Sequence, residues 1–366
     1  MRLSPEQEAL RGAVRGLLDR HPLGREPDPD GERELWRRLC SQIGVAGLAI
    51  PERYGGAGAG PVEVSVVLTE LGRSLTPAPM LGSAVLATQA ILSSGDEEAC
   101  RRLLPALADG TGIAALAWTT AAGHWDPAMV ACRAAGGGAA CDAEWVISGE
   151  AQYVLDGAIA TTLVVPAVTS DGVIGVFEVD PAEPAATRRS CPTVDDTRRL
   201  AVVRLDGACG RRIGRGVAAL GRVRDLGCIA LAAEQAGVAA AALAQTVAYA
   251  KVRVQFGRPI GSFQALQHRM AEMHVLVESA RSFAYAAASA AQDDAADLGL
   301  RAAAAAAYCA EALQQVAAEM IQLHGAIGMT WEHDAHRYFK RAHGAAALLG
   351  SPAEHVARVA AAVIDG

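Results

Sequence analysis

Two stretches of this sequence place side chains where chemistry could be done. Residues 251–273 read KVRVQFGRPIGSFQALQHRMAEM. A helical pattern ends at Arg253 and gives way to a glycine turn (Gly257, Gly261), where Pro259 stops the helix and Ser262 stands ready to cap a new one. A guanidinium, turn amides and a helix N-terminus suit a pyrophosphate, because all of them present positive charge or N–H donors. The same residues describe an ordinary capped helix–turn–helix equally well. The second stretch holds Glu234, which shares a stripe with Leu231, Val238, Ala241, Gln245, Tyr249 and Val252 at three- and four-residue steps. Desolvation would make a carboxylate on that stripe more basic, as proton abstraction needs. A structural glutamate there would instead answer an arginine or a backbone group.

Other arrangements carry less. In TWEHDAHRYFKRA (330–342), Glu332 and His336 share a helical face while His333 and Asp334 point elsewhere, so the segment reads as an exposed charged turn and not as a metal centre. The GGAGAG and RAAGGG runs lack the strand–turn–helix setting of a dinucleotide fingerprint and read as loops.

Three zones must position these groups. Residues 1–110 are mainly helical: Leu10, Val14, Leu17 and Leu18 recur at helical spacing, as does the run Val62–Leu71, with the loop LAIPERYGGAGAG (48–60) between them. Residues 111–214 break into short β-branched runs (IAALAWTT, EWVISGE, TTLVVPAV, GVIGVFEV, LAVVRL) bounded by turn residues, the pattern of antiparallel strands. Residues 215–366 return to long helices, the later ones spanning about 263–291 and 300–323. The expected class is mainly α with an inserted β domain.

Composition narrows the function. With 33 basic against 40 acidic residues and a net charge of −7, the chain has no footprint for gripping nucleic acid. Lys251 and Lys340 are the only lysines, and no phosphate-loop motif is present. The eight cysteines form no C-x-x-C pair, which predicts reduced thiols in a cytoplasmic protein. The first 20 residues carry both signs of charge and lack the apolar core of a signal peptide, and no stretch reads as a membrane span.

The string RVQFGRPIGSFQALQHRMAEM resembles the flavin-binding segment of the acyl-CoA dehydrogenase family, R-x-x-F-G-x-x-I-x-x-F-Q followed by A-x-M. Residues 47–75 resemble that family's N-terminal helix and glycine loop, and MIQLHGAIGMTWEHDAHRYFKRA (320–342) resembles its Q-x-x-G-G-x-G region. The resemblance implies an N-terminal helical domain, a central antiparallel β-barrel-like domain and a C-terminal helical bundle. It implies FAD, an acyl-CoA or other acyl thioester as substrate, and an electron-transfer acceptor. The reaction would form the 2,3-enoyl thioester, with a carboxylate taking the α-proton as hydride leaves the β-carbon for flavin. By position, Arg253, Phe256, Gly257 and Gln264 match residues that meet FAD across a subunit contact. Gln322 and Gly325 match the other side of that contact. An oligomer is therefore implied, a homodimer or tetramer or a heterotetramer with a paralogous subunit.

The sequence departs from the family in three places. The flavin loop T-E-P-x-x-G-S-D is here AWTTAAGHWDPA (117–128), and the tryptophan facing the flavin gives way to YVLDG (153–157), leaving Trp118 and Tyr153 as alternative contacts. The catalytic glutamate is missing from both usual positions, which hold Leu349 or Gly350 and Gly227 or Cys228. Glu234, in AAEQAG, is the remaining carboxylate on the same helix, and it resembles a feature of a bacterial subgroup built from paired unlike subunits in sterol or polyketide side-chain metabolism. The expected base is Glu234. The alternatives are a non-catalytic subunit that completes FAD binding for a paralogue, or a flavin oxygenase, oxidase or lyase on the same fold.

Overall fold

The computed structural model describes residues 3–24, 28–136 and 145–364. Cys141 and the end of the RAAGGG run lie outside them. The first zone comprises α1 (Pro5–Arg20), α2 (Pro29–Ile43), α3 (Pro61–Arg73), α4 (Thr88–Leu92) and α5 (Glu97–Ala108), with a π-helical segment, Met80–Ala87, leading into α4. Local chemistry fixes the starts: Ser4 and Gln7 form a reciprocal capping box on α1, and Glu63 accepts the Gly60 N–H at 2.9 Å ahead of α3. The apolar stripe of α1 buries Val14, Leu17 and Leu18. Loop 48–60 holds one short turn, Glu52–Tyr54.

Seven strands follow: β1 (Ala114–Leu116), β2 (Cys132–Gly136), β3 (Trp145–Leu155), β4 (Thr162–Thr169), β5 (Ile174–Val179), β6 (Ala186–Ser190) and β7 (Leu200–Arg215). Pairing runs β4–β2–β3–β7–β5 and returns to β4, so the sheet closes on itself, with β1 added to β4 and β6 to β7. Ile147, Leu163, Val165, Phe177 and Val203 fill the interior. Most pairings are antiparallel, as expected, while β4 pairs in parallel with both β1 and β2.

The last zone is α6 (Val217–Val252), a two-residue hairpin β8–β9 (Val254–Gln255, Arg258–Pro259), α7 (Gln264–Gln292), α8 (Leu298–His324), α9 (Ala335–Ala345) and α10 (Pro352–Ile364). By length and composition α6 could cross a membrane, contrary to the sequence reading, but its apolar window is buried within the protein. It is apolar all round because α3, α7, α8 and α9 surround it. Contact with α3 is backbone-close: Gly237 lies against the Thr69 carbonyl, Gly72 against that of Glu234, and the Thr69 hydroxyl donates to the Ala233 carbonyl at 3.2 Å. Among the described residues, six cysteines are free thiols. Cys209 is disulfide-bonded, which departs from the expectation of eight reduced thiols.

Candidate flavin and acyl site

Glu234 is 5% exposed on α6 and is tied from two sides. Arg341, on α9, donates from Nη1 to Glu234 Oε1 at 2.6 Å, and Arg198, from the segment before β7, donates from Nη2 to the same oxygen. Arg341 also donates from Nε to Thr197 Oγ1 at 2.9 Å and from Nη2 to the Thr197 carbonyl at 2.7 Å, and it pairs with Asp195 Oδ2 at 2.9 Å. Glu234, the expected base, is thus held by two arginines. Burial arrives together with two counter-charges, and one oxygen is shared between two guanidiniums, so the carboxylate acts as the hub of a seam joining α6, α9 and the barrel zone. A void of about 20 Å³ in that seam is lined by Asp156, Arg198, Glu234 and Arg341, room for one water. Asp156 is buried there, and burial pushes its carboxyl up to about 7, with Arg198 opposing the rise and Glu234 adding to it.

The two positions where the family keeps its base meet in space, and apolar side chains fill the room between them. A methyl on Gly227 would come within 2.5 Å of Leu86 Cδ2 and 2.9 Å of Leu349 Cδ1. Leu86 and Leu349 are buried, and Leu349 holds a left-handed φ of 62°. Cys228 and His355 lie behind them with Sγ and Nε2 4.0 Å apart. Burial pushes the thiol up to about 12 and the imidazole down to about 4, so both are neutral and neither is poised for proton transfer. Glu354, four residues beyond Gly350, accepts the Ser351 N–H at 2.7 Å and the Ser351 hydroxyl at 2.9 Å and so caps α10.

The residues matched to FAD binding are open to solvent. Every residue from Lys251 to Pro259 is exposed, and among the described residues Lys251, Arg253 and Arg258 have no carboxylate partner. Arg253 ends α6, donating its N–H to the Tyr249 carbonyl at 2.9 Å and accepting the Ile260 N–H at 2.8 Å. Phe256 (φ 51°) and Gly257 (φ 75°) form the hairpin tip, with Phe256 90% exposed. Arg258 lies 4.1 Å over the Phe263 ring and stiffens the turn. Ser262 does not cap α7 as expected. Its hydroxyl donates to the Pro259 carbonyl at 2.7 Å, and Gln264 begins the helix after Phe263. Gln322 is exposed near the end of α8, which closes at Gly325 (φ 64°). The α6 and α8 ends are neighbours: Tyr249 stacks on His324 with centroids 4.4 Å apart. Arg253 and Gln322 thus lie toward one end of the bundle.

Nothing protein-borne crowds Gly257 or Gly325, where a methyl would meet only open space, and three unanswered cations flank the turn. That donor set fits a dinucleotide pyrophosphate. At the barrel, Thr120 Oγ1 is buried without a protein partner, as a loop that meets a ligand would leave it. Tyr153 is 42% exposed at a strand irregularity and 3.7 Å from where a Gly123 methyl would stand. Trp118 is fully buried against Trp125 and donates to the Asp126 carbonyl at 3.3 Å, so it belongs to the core.

A barrel set between helical zones and an open cationic turn suited to a dinucleotide are the frame of this site. Residues 4–111 match the model of the acyl-CoA dehydrogenase N-terminal domain, and residues 214–364 match that of the C-terminal domain. The chain is 38% identical to acyl-CoA dehydrogenase IpdE2 of Mycolicibacterium smegmatis, over 99% of this chain and all of that protein. Among solved structures it is similar to a variant of the Tcur3481–Tcur3483 steroid ACAD (TM-score 0.88, 33% identity, 99% of this chain and 98% of that one). It is also similar to a chain of the ChsE4–ChsE5 complex of Mycobacterium tuberculosis (TM-score 0.88, 29% identity, 100% and 99%). The chain belongs to the acyl-CoA dehydrogenase family, FAD-dependent oxidoreductases of lipid metabolism that act on acyl-CoA and assemble as oligomers.

Proposed function

We propose that this chain serves acyl-CoA dehydrogenation as the FAD-completing subunit of a two-component enzyme whose α-proton base stands on a paralogous partner. The observation that carries the reading is the contact of Leu86 and Leu349 with Gly227, which fills the place of the family's base with apolar side chains. Glu234 cannot substitute while two arginines hold it. One similar solved structure is named as the ChsE4–ChsE5 complex and another carries the paired name Tcur3481–Tcur3483, which supports a paired assembly here. FAD, when bound, would supply the hydride acceptor of the oxidation. In this reading Arg253 neutralises pyrophosphate charge, the hairpin tip offers its amides and the Phe256 ring, and Gln264, Gln322 and Gly325 complete the surface.

Purification alone and with the companion dehydrogenase tests this. Stable FAD and acyl-CoA-dependent dye reduction are expected only in the pair. A solitary chain that holds FAD, reduces dye with an acyl-CoA, and loses turnover in Glu234→Gln at unchanged thermal midpoint would overturn it.

A further inference from the structure

Three rings meet where the two flavin-side segments leave the core. Tyr249 lies one helical turn before Arg253 on α6, and His324 sits between Gln322 and Gly325 at the end of α8. His333 comes from the loop between α8 and α9. Tyr249 and His324 stack at 4.4 Å with planes 25° apart, His324 and His333 lie 4.4 Å apart at 46°, and Tyr249 meets His333 edge-on at 6.2 Å. The Tyr249 hydroxyl also donates to the His324 carbonyl at 3.4 Å.

His324 is the centre of this arrangement and is 3% exposed. Its Nδ1 lies 2.7 Å from the Met320 carbonyl, so the ring carries its proton there and donates to its own helix. Burial pulls its basicity down, with His333 adding to the effect, which keeps the ring neutral between its neighbours. Neutral rings at these separations attract one another without the repulsion an imidazolium pair would bring.

Beside the stack, Ala250 and Leu323 are the buried residues nearest the two segments, and the residues that would face the dinucleotide lie outside the core. Residues 251–259 are exposed throughout, and Gln322, Gly325 and Ala326 are exposed on the other side. A dinucleotide that touches both segments binds tightly only if their separation is fixed beforehand, because ordering them on binding would cost affinity. We propose that the Tyr249–His324–His333 stack is the positioning element for FAD on this chain, holding the Arg253 turn and the Gln322–Gly325 helix end in one register. His324 is a positioning residue: it acts through the two segments and touches no reacting atom.

The inference rests on the reading that FAD binds this face, and the test separates the two. FAD dissociation from the assembled holoenzyme is followed by flavin fluorescence for the wild type, His324→Phe, His324→Ala, His333→Ala and Arg253→Ala. His324→Ala removes ring contacts and is expected to weaken FAD binding about two- to tenfold, the scale of one or two aromatic pairs. His324→Phe keeps the ring and should retain affinity within about twofold, and His333→Ala, at the outer edge of the stack, should lose less than His324→Ala. Equal losses in His324→Phe and His324→Ala, or none in His324→Ala while Arg253→Ala weakens binding, would overturn the stack's role and leave the flavin face standing. Unchanged affinity in Arg253→Ala as well would remove the face itself. Should His324→Ala fail to fold, His333→Ala decides, and unaltered FAD affinity in that variant refutes the proposal.

Discussion

At Glu234 the charge is answered from within the chain: Arg198 and Arg341 share its carboxylate, Asp195 and Thr197 hold Arg341, and the group is closed from solvent. Along residues 251–259 the opposite holds. Lys251, Arg253 and Arg258 stand in solvent with no carboxylate among the described residues, and the Phe256 ring is uncovered. Both regions contain residue types that do chemistry. Internal satisfaction separates them: a group whose partners are all its own is bound to the fold, while one left unanswered is available to a ligand.

Breaking the seam should give the largest effect. Arg341→Met leaves Glu234 short of one guanidinium and Asp195 without its partner, and a loss of about 3–5 kcal/mol is expected in urea unfolding. A variant within about 0.5 kcal/mol of wild type would show that the seam contributes no more than a surface pair. Asp156 sharpens the same point through pH. Its native carboxyl is raised to about 7 from 3.8, so the stability it contributes is fully present below about pH 4 and is lost as pH rises through 7. Asp156→Asn should flatten that part of the profile and be more stable than wild type at pH 8, measured as thermal midpoint against pH. Parallel profiles would refute an enclosed, proton-binding Asp156. On the open face, Arg253→Ala should move unfolding free energy by less than about 0.5 kcal/mol, as surface substitutions do, while weakening FAD binding. A large stability loss there would erase the contrast.

Much of this was legible in the residues. Helical periodicity located α1, α3, α6, α7 and α8, and β-branched runs located β1, β3, β4, β5 and β7. β2 (CRAAG) and β6 (ATRRS) escaped because neither is an apolar run; each is defined by its neighbours in the barrel. The open cationic turn at 251–259 could be read because its residues are adjacent in sequence. Glu234's fate could not be read, since its partners lie 36 and 107 residues away among 31 arginines with no spacing to single them out. The ring stack was hidden for the same reason, Tyr249 and His324 being 75 residues apart.

The close seating of α3 on α6 bears on how the chain is made. Gly237 and Thr69 meet backbone to backbone across more than 160 residues, so α3 leaves the ribosome with its apolar face uncovered. At about 5–20 residues per second, some 8–30 s pass before α6 follows. The barrel, whose strands find one another locally, can close during that wait. The helical zones then fold together around it as one unit, so the first 110 residues expressed alone would be expected to aggregate unless α6 is supplied.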